Sequence, residues 1–276
     1  NYFSGNRWLN YPYSPHDRSF AYPSQRSIDF VWRVVCQSLA TWHLALPLAS
    51  GAGDRCATCT TSHDYRKLAN SGFWELLKKM AVPVLPNTAG CHSPQEVITT
   101  AQMAREVFET NWIKLELIGD DYTLQPDTLR LVQTAEHLIK DGFKVLPYCT
   151  EDLIVCQRLV DVGCQAVMPW AAPIGTGQGP LNPYAMRLLR ERLSVPLLVD
   201  AGLGLPSHAC TVMEWGFDGV LLNTAVALAQ DPVAMSSAFA AAVHAGRQAF
   251  LSGAMQPQDS AQASTPLVGT PFWHHE

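Results

Sequence analysis

From residue 82 onward, short apolar runs rich in Val, Ile and Leu alternate with longer segments whose apolar residues recur at helical spacing. The runs predict six strands, at residues 82–86, 112–117, 143–148, 166–170, 195–200 and 219–222. The segments that follow them predict helices at residues 93–108, 126–140, 151–162, 182–193, 207–215 and 225–229. Such alternation is typical of a parallel sheet with helical crossovers, so the pattern predicts an α/β protein.

The close spacing of the predicted strands fits the βα units of a (β/α)8 TIM barrel better than a dinucleotide-binding fold. No Gly-x-Gly-x-x-Gly string follows a predicted strand, and the glycines of residues 175–179 alternate wrongly for that fingerprint. A nicotinamide cofactor is therefore disfavoured. If the six units are the last six of eight, residues 1–81 must supply the first two, and no sustained hydrophobic period is found there.

Charge separates the same two regions of the chain. Residues 1–81 hold 9 Lys and Arg against 5 Asp and Glu, whereas residues 82–276 hold 10 against 19. We therefore expect an atypical segment at residues 1–81, barrel units carrying the active site at residues 82–269 and a tail at residues 270–276.

The composition also excludes several classes of protein. The chain has 276 residues, 47% of them hydrophobic, which is enough for a substantial core. No apolar run approaches the ~20 residues that a membrane span needs. A net charge of -5 without a basic cluster disfavours nucleic acid as a partner.

The eight cysteines are spread along the chain, which disfavours a disulfide scaffold. Cys56 and Cys59 have the spacing of half a zinc site, but no second close pair accompanies them. An incidental pair in a loop is the favoured interpretation, and no metal is expected. The chain begins at Asn1 without a secretory leader, so the expected location is the reducing cytoplasm.

The strand predicted at residues 112–117 alternates in polarity. Ile113, Leu115 and Leu117 share one face, and Lys114 and Glu116 share the other. In a barrel the apolar face meets the helices, so Lys114 and Glu116 point inward, where lost solvation favours a neutral amine that can attack a carbonyl. The pattern fits a buried Lys–Glu ion pair without chemistry equally well.

Two neighbouring strands end in polar or glycine-rich turns. Asp200 is followed by Ala201-Gly202-Leu203-Gly204, and the last predicted strand is followed by Asn223-Thr224. Barrels commonly bind phosphate in the loops after the last two strands, where backbone N–H groups and helix N-termini face the anion. Asp200 fits an acid/base or a cap of the following turn equally well.

Two other loops carry candidate contacts. Glycines 175, 177 and 179 suggest a loop that approaches a ligand, although a flexible surface loop has the same composition. Residues 87–91 either contribute hydrogen bonds or only turn the chain. Cys91 is not expected to be a nucleophile, because the adjacent His92 would point away from it.

Seven strings of this sequence, taken together and in this order, resemble the ThiG family, the thiazole synthases of the thiamine pathway. They are LPNTAG (85–90), NWIKLE (111–116), VLPYC (145–149), AVMP (166–169), APIG (172–175), VDAGLGLPSHA (199–209) and LNTA (222–225). The resemblance runs from about residue 82 to ASTPLVG at 263–269.

The resemblance implies a (β/α)8 barrel and a sulfur-transferring transferase. Family members condense 1-deoxy-D-xylulose 5-phosphate, dehydroglycine (2-iminoacetate) and the sulfide of a thiocarboxylated carrier protein, ThiS, into thiazole phosphate carboxylate. It implies that Lys114 forms an imine, or Schiff base, with the sugar ketone and that Glu116 and Asp200 act as acid and base. The implied sugar-phosphate contacts are Gly175, Ala201, Gly202, Asn223 and Thr224. It also implies a homotetramer without metal or organic cofactor, and some members pair with the radical enzyme ThiH.

Residues 1–81 depart from the family pattern. Members carry a Gly-Thr-Gly-Lys string after the first strand and a Val-Thr-Val-Ala-Leu-Arg-Arg string in the second, and neither occurs here. We therefore expect this segment to be translated out of its ancestral frame or mis-joined, which re-reading the parent DNA in its other frames tests. Two alternatives follow: a Schiff-base sugar-phosphate aldolase, or an inactive scaffold that keeps only the oligomer and carrier-binding surface.

Overall fold

The computed structural model describes the backbone of residues 34–36 and 57–60 and the chain from residue 84 to residue 262. Eight strands fall in these ranges: β1 Val34–Cys36, β2 Ala57–Thr60, β3 Val84–Asn87, β4 Trp112–Leu115, β5 Lys144–Cys149, β6 Met168–Pro169, β7 Leu198–Asp200 and β8 Gly219–Leu222. Seven helices accompany them: α1 Pro94–Phe108, α2 Thr128–Lys140, α3 Leu153–Asp161, α4 Pro183–Arg192, α5 Pro206–Glu214, α6 Thr224–Ala227 and α7 Pro232–Ser252.

All ladder pairings between these strands are parallel. One sheet has the order β2-β3-β4-β5-β6, and the other has the order β1-β8-β7. Two parallel bridges, Val167 with Leu197 and Trp170 with Asp200, connect the two at β6 and β7. Neighbours in the sheet are thus neighbours in the chain, and β1 lies beside β8. This is the strand order of a TIM barrel, which confirms the predicted fold class.

The six strands predicted from residue 82 onward are all present. β6 is shorter than predicted, because only Met168 and Pro169 pair regularly, with β5, before the chain bridges to β7. The two strands that the pattern did not provide are β1 and β2, which pair with β8 and β3. Cys59 lies in β2, so its assignment to a loop is wrong, and Cys56 lies outside the described residues. The out-of-frame origin of residues 1–81 stays a prediction.

Polar side chains fix where the helices begin. In α1 the Ser93 hydroxyl accepts the N–H of Glu96, and the Glu96 carboxylate accepts the N–H of Ser93, which is a capping box. Four other helices begin after a capping Asp or Asn whose side-chain oxygen accepts a first-turn N–H: Asp127, Asp152, Asn182 and Asp231. These caps fix the first turn of each of these five helices.

Alternation along the strands divides the buried residues into two groups. Outward-facing residues such as Ile113, Leu115 and Val145 pack against the helices in the larger cluster. A smaller cluster faces the barrel lumen and is called the apolar tier here: Leu85, Leu146, Ala166, Met168, Leu198 and Leu221, with Trp112 against it. No helix within residues 84–262 is long and apolar enough to cross a membrane. The tail at residues 270–276 and the string at 263–269 lie outside the described residues.

Candidate active site

Lys114 lies inside the barrel, as the alternation of β4 predicts. Its side chain is 2% exposed, and its Nζ is 2.6 Å from Asp200 Oδ2 and 3.8 Å from Glu116 Oε2. The sequence suggested Glu116 as the ion-pair partner, but Asp200 of β7 is closer. Two residues on one strand share a face about 6.5 Å apart, whereas Asp200 projects from another strand into the same space.

Glu116 is held by the end of β3. Asn87 Nδ2 donates to Glu116 Oε2 at 3.2 Å. The Thr88 hydroxyl donates to the carbonyl of Glu116 and accepts its N–H, both at 2.8 Å. Residues 87 and 88 thus contribute hydrogen bonds, as one of the two interpretations of this loop predicted, and they fix the Glu116 carboxylate beside Lys114.

Asp200 is 3% exposed at the end of β7. Burial raises the pKa of its carboxyl group, while Lys114 and the N–H of Ala201 oppose this rise. Lys114 Nζ and Asp200 Oδ2 lie within hydrogen-bond distance of each other, so a proton can pass directly between the two groups.

Tyr148 and Trp170 complete the wall around the lysine. Lys114 Nζ lies 5.7 Å from the ring centroid of Tyr148, whose own ring meets Trp170 edge-on with centroids 6.5 Å apart. Burial, together with Asp200 and Glu116, raises the pKa of Tyr148, so its hydroxyl stays protonated at neutral pH. The sequence analysis missed both aromatic residues, although each occupies an inward position at the end of its strand.

A cavity of about 320 Å³ opens beside this wall at the carboxyl ends of β5 and β6. It is lined by Gln125, Thr150, Glu151, Asp152, Trp170 and Asn182. The indole N–H of Trp170 donates to the Glu151 carboxylate, which orients the ring at the cavity edge.

The five predicted sugar-phosphate positions lie in three loops at one end of the barrel. Gly175 follows β6, and a Cβ added there would lie 4.0 Å from the Thr224 hydroxyl. Ala201 and Gly202 follow Asp200 with φ angles of 64° and 74°. Asn223 caps α6, and its Oδ1 is buried with no hydrogen-bond partner within residues 85–262. The fold therefore brings Gly175 and Thr224 together across two different loops.

Gly202 and Ala201 have backbone conformations that side chains disfavour. A Cβ on Gly202 would lie 2.5 Å from the backbone N of Ala172, so only glycine fits. Ala201 adopts a positive φ despite its Cβ, and such strain is found most often at functional sites. At this turn the backbone of Gly202 therefore lies in close contact with the backbone of Ala172.

Other residues weighed in the sequence do not join the site. Cys91 is buried, its Sγ lies 3.6 Å from the Thr100 hydroxyl, and burial raises the pKa of its thiol. The neighbouring His92 is exposed and faces Asp121, with its Nδ1 3.5 Å from Asp121 Oδ1. Within residues 85–262, no three His, Cys, Asp or Glu side chains are grouped to hold a metal ion.

A buried lysine beside two carboxylates, at the carboxyl ends of the strands, gives this molecule the site of a (β/α)8-barrel enzyme. The model of the family "Thiazole biosynthesis protein ThiG" matches residues 56–266. The chain belongs to the ThiG family, and it is an enzyme of thiazole formation in thiamine biosynthesis.

Several curated relatives support this assignment. A thiazole synthase of Variovorax paradoxus is 80% identical over 207 residues, which cover 75% of this chain and 76% of the relative. A thiazole synthase of Cupriavidus metallidurans is 57% identical over 284 residues, covering 99% and 97%. The crystal structure of the Amycolatopsis orientalis BexX/CysO complex matches with a TM-score of 0.70 and 26% identity, covering 82% of this chain and 94% of that one.

A more distant neighbour supports the fold alone. Thiamine phosphate pyrophosphorylase from Pyrococcus furiosus matches with a TM-score of 0.53 at 13% identity, covering 80% of this chain and 98% of that one. Identity this low carries no information on the reaction of the present chain.

Proposed function

We propose that this chain condenses 1-deoxy-D-xylulose 5-phosphate, 2-iminoacetate and the sulfide of a thiocarboxylated carrier protein into thiazole phosphate carboxylate through an imine on Lys114. The observation that carries the proposal is the position of Lys114 Nζ, buried and 2.6 Å from Asp200. A structural ion pair needs only one carboxylate, whereas Lys114 faces two, Asp200 and Glu116.

The geometry supports a specific order of proton transfers. Asp200 takes a proton from the Lys114 ammonium, the free amine attacks the ketone carbon of the sugar, and a second proton moves from the new C–N nitrogen to the former ketone oxygen to give the carbinolamine. Asp200 then returns the proton to the carbinolamine oxygen, which leaves as water, so that one water is released for each imine formed. The raised pKa of Asp200 suits this role, because the carboxyl group must hold a proton at neutral pH for part of the cycle.

Glu116 is the better candidate for the base that acts on the substrate carbons. It lies 3.8 Å from Lys114 Nζ and is oriented by Asn87. The imine acidifies the neighbouring carbon, so a carboxylate held there can move its proton and shift the carbonyl along the chain before sulfur is added. No metal or organic cofactor is required in this scheme, since the imine accepts the electrons.

The proposed phosphate site is the group of loops that carries Gly175, Ala201, Gly202, Asn223 and Thr224. The loops after the seventh and eighth strands, with a short extra helix, bind phosphate in many barrels, and α6 is such a helix. The first N–H groups of a helix lack intrahelical partners and attract anions. The buried Oδ1 of Asn223 would accept a hydrogen bond from a substrate hydroxyl.

The partners are proposed on the same basis. The BexX relative is in complex with a second protein, CysO, which supports a carrier protein, ThiS, as the sulfur donor here. A homotetramer, pairing with ThiH and a cytoplasmic location stay predictions.

Borohydride reduction in the presence of 1-deoxy-D-xylulose 5-phosphate tests the proposal. We expect a stable adduct on the peptide that contains Lys114, and no adduct in Lys114→Ala. Lys140→Ala is the matched control, since Lys140 is exposed and pairs with Glu136 on the surface of α2. Thiazole formation should fall at least about 1,000-fold in Lys114→Ala.

The outcomes separate the rival functions. Labelling at Lys114 without thiazole formation in the complete reaction would favour the aldolase. An inactive scaffold is the second candidate, because residues 1–81 lack the two strings that the resemblance leads us to expect. Absence of any adduct at Lys114 in the native chain would defeat both Schiff-base functions and leave the scaffold as the remaining candidate.

A further inference from the structure

His208 is the third residue of α5, and its imidazole lies between two glycine-rich loops. Its Nδ1 accepts the backbone N–H of Gly204 at 3.2 Å and that of Leu205 at 3.3 Å. A ring nitrogen that accepts two N–H donors carries no proton, so His208 is a neutral imidazole protonated on Nε2. The imidazole thereby accepts the N–H groups of Gly204 and Leu205. The neighbouring side chains of Leu205 and Pro206 are apolar and could not accept them.

The same ring covers the neighbouring loop. A Cβ added to Gly179 would lie 2.8 Å from the Cε1 and Nδ1 atoms of His208, so the ring contacts the bare glycine backbone. Gly179 donates its N–H to the carbonyl of Gly202 at 2.8 Å. A Cβ on Gly204 would overlap the carbonyl of Gly177. The loops after β6 and β7 thus touch at several points, and His208 contacts both.

These loops carry three of the proposed sugar-phosphate contacts, Gly175, Ala201 and Gly202. We infer that His208 is a positioning residue, whose neutral imidazole holds the two loops in the arrangement that binds the phosphate of the sugar substrate. This inference rests on the proposed function, because it takes the phosphate site from it. His208 itself need not touch the substrate.

If His208 holds the loops in this way, substrate binding should weaken as the pH falls. Burial lowers the pKa of His208, so the ring is neutral at pH 7. Protonation would turn Nδ1 into a donor that faces two N–H donors, and both hydrogen bonds would be lost. The hydrogen bonds are therefore complete above the ordinary histidine pKa of about 6.5 and fail as the pH falls through the lower value in the folded chain.

Charged neighbours do not complicate this dependence. Residues 171–182 and 201–205, the two loops on the ring, contain no titratable side chain. On α5 itself the titratable groups are Cys210 and Glu214, and the Cys210 thiol donates to Glu214 at 3.4 Å. Helix α7, which carries His244 and Arg247, packs on α5 at the Cys210 carbonyl and the Met213 side chain.

Two variants separate the hydrogen-bonding role from the space that the ring fills. His208→Asn keeps an acceptor, its Oδ1, near the position of Nδ1 but does not titrate. His208→Leu fills space without an acceptor. His137→Leu, at an exposed site on α2, is the control for removal of a histidine.

We expect His208→Leu to raise the KM for 1-deoxy-D-xylulose 5-phosphate about 10- to 100-fold at pH 8, since two hydrogen bonds are lost. At saturating substrate the borohydride adduct at Lys114 should form to the same extent as in the native chain. His208→Asn should restore the KM to within about threefold. Below pH 6.5 the KM of the native chain should rise more steeply than that of His208→Asn. Protonation of the substrate phosphate affects both proteins equally, so the difference between them reports on His208.

Hydrogen exchange gives a readout that does not depend on the reaction. The amides of residues 204 and 205 should exchange at least about tenfold faster in His208→Leu, and at the native rate in His208→Asn, without substrate. Unchanged exchange and an unchanged KM in His208→Leu would overturn the inference. So would tighter substrate binding by the native chain than by His208→Asn at low pH, which would show direct contact of an imidazolium with phosphate. Failure of the proposed function is recognised separately, by the absence of an adduct at Lys114 in the native chain.

Discussion

The two ends of the barrel lumen differ in polarity. On each of four strands, one inward-facing residue is apolar and the next inward-facing residue is polar. The apolar tier provides Leu85, Trp112, Leu146 and Leu198 on β3, β4, β5 and β7. Two residues further along the same four strands, the inward positions are Asn87, Lys114, Tyr148 and Asp200. We call this second set, together with Glu116, the polar tier. A step of about 6.5 Å along each strand therefore separates apolar side chains from the polar side chains to which we assign the chemistry.

The comparison shows how the barrel divides its tasks. Burial of apolar surface stabilises the folded state by roughly 25 cal/mol per Å². Burial of an ion pair such as Lys114–Asp200 contributes little net stability, because lost solvation offsets the attraction. The proposed function assigns the chemistry to the polar tier, in which Lys114 Nζ lies 2.6 Å from Asp200, and leaves stabilisation of the fold to the apolar tier.

The largest effect is expected when one charge of the polar tier is removed. Lys114→Met should lower the free energy of unfolding by about 3–5 kcal/mol at pH 8, because Asp200 is left buried without its partner. Loss of Lys114 removes an interaction that lowers the pKa of Asp200, so this pKa rises further. A carboxyl group with a raised pKa in the folded state destabilises the fold as the pH rises through that value.

Urea unfolding at pH 5 and pH 8 measures this effect. The deficit relative to the native chain should be smaller at pH 5, because a larger fraction of Asp200 is protonated in the variant at pH 5 than at pH 8. Lys140→Met, at an exposed position of α2, should stay within about 0.5 kcal/mol of the native chain at both pH values. An equal deficit at both pH values would contradict an ionised Asp200 as its cause.

A smaller loss of stability is expected from a cavity in the apolar tier. Leu146 is 4% exposed and lies opposite Lys114 in the register of β4 and β5. Leu146→Ala should destabilise the fold by about 2–4 kcal/mol through lost burial and the remaining cavity. Unlike Lys114→Met, it should show the same deficit at pH 5 and pH 8.

Leu129→Ala serves as the matched control, since Leu129 is 86% exposed on α2 and should change the urea midpoint little. Borohydride labelling of Lys114 in Leu146→Ala, measured per folded molecule, should remain within about tenfold of native. A complete loss of labelling in folded protein would show that the two tiers are not separable.

The smallest effect is expected when both charges are replaced together. Lys114→Met combined with Asp200→Leu extends the apolar tier into the polar tier. The free energy of unfolding of this double variant should lie within about 2 kcal/mol of the native value. The double variant should therefore regain most of the stability that Lys114→Met loses, although its activity is absent. A double variant as unstable as Lys114→Met alone would show that packing, rather than the unpaired charge, limits this site.

Much of this arrangement could be predicted because strand alternation is a local property. The inward direction of Lys114 and Glu116 follows from the apolar face of β4, and Asp200 follows from its place at a strand end. The glycines at 175 and 202 are marked by the local turns that they form. In contrast, α7 is rich in Ala and Ser, so its hydrophobic pattern is weak and its bounds were not predicted.

Other features depended on contacts between distant residues. Nothing in the sequence near β4 indicates that Asp200, 86 positions later, lies closer to Lys114 than Glu116 does. Tyr148 and Trp170 resemble ordinary strand residues until their inward positions are known. Nothing near His208 in the sequence distinguishes it from His137 and His244, which also lie on helices, yet His208 accepts the N–H groups of Gly204 and Leu205.

By itself, the sequence determined the α/β alternation from residue 82, the ThiG resemblance and the identity of the lysine and carboxylates. These are properties of short strings, in which the side chains that matter are close along the chain. The tertiary structure alone decided which carboxylate pairs with Lys114, how the loops after β6 and β7 meet, and where β1 and β2 join the sheet. Barrel packing sets these distances, because it brings together side chains that no local pattern relates.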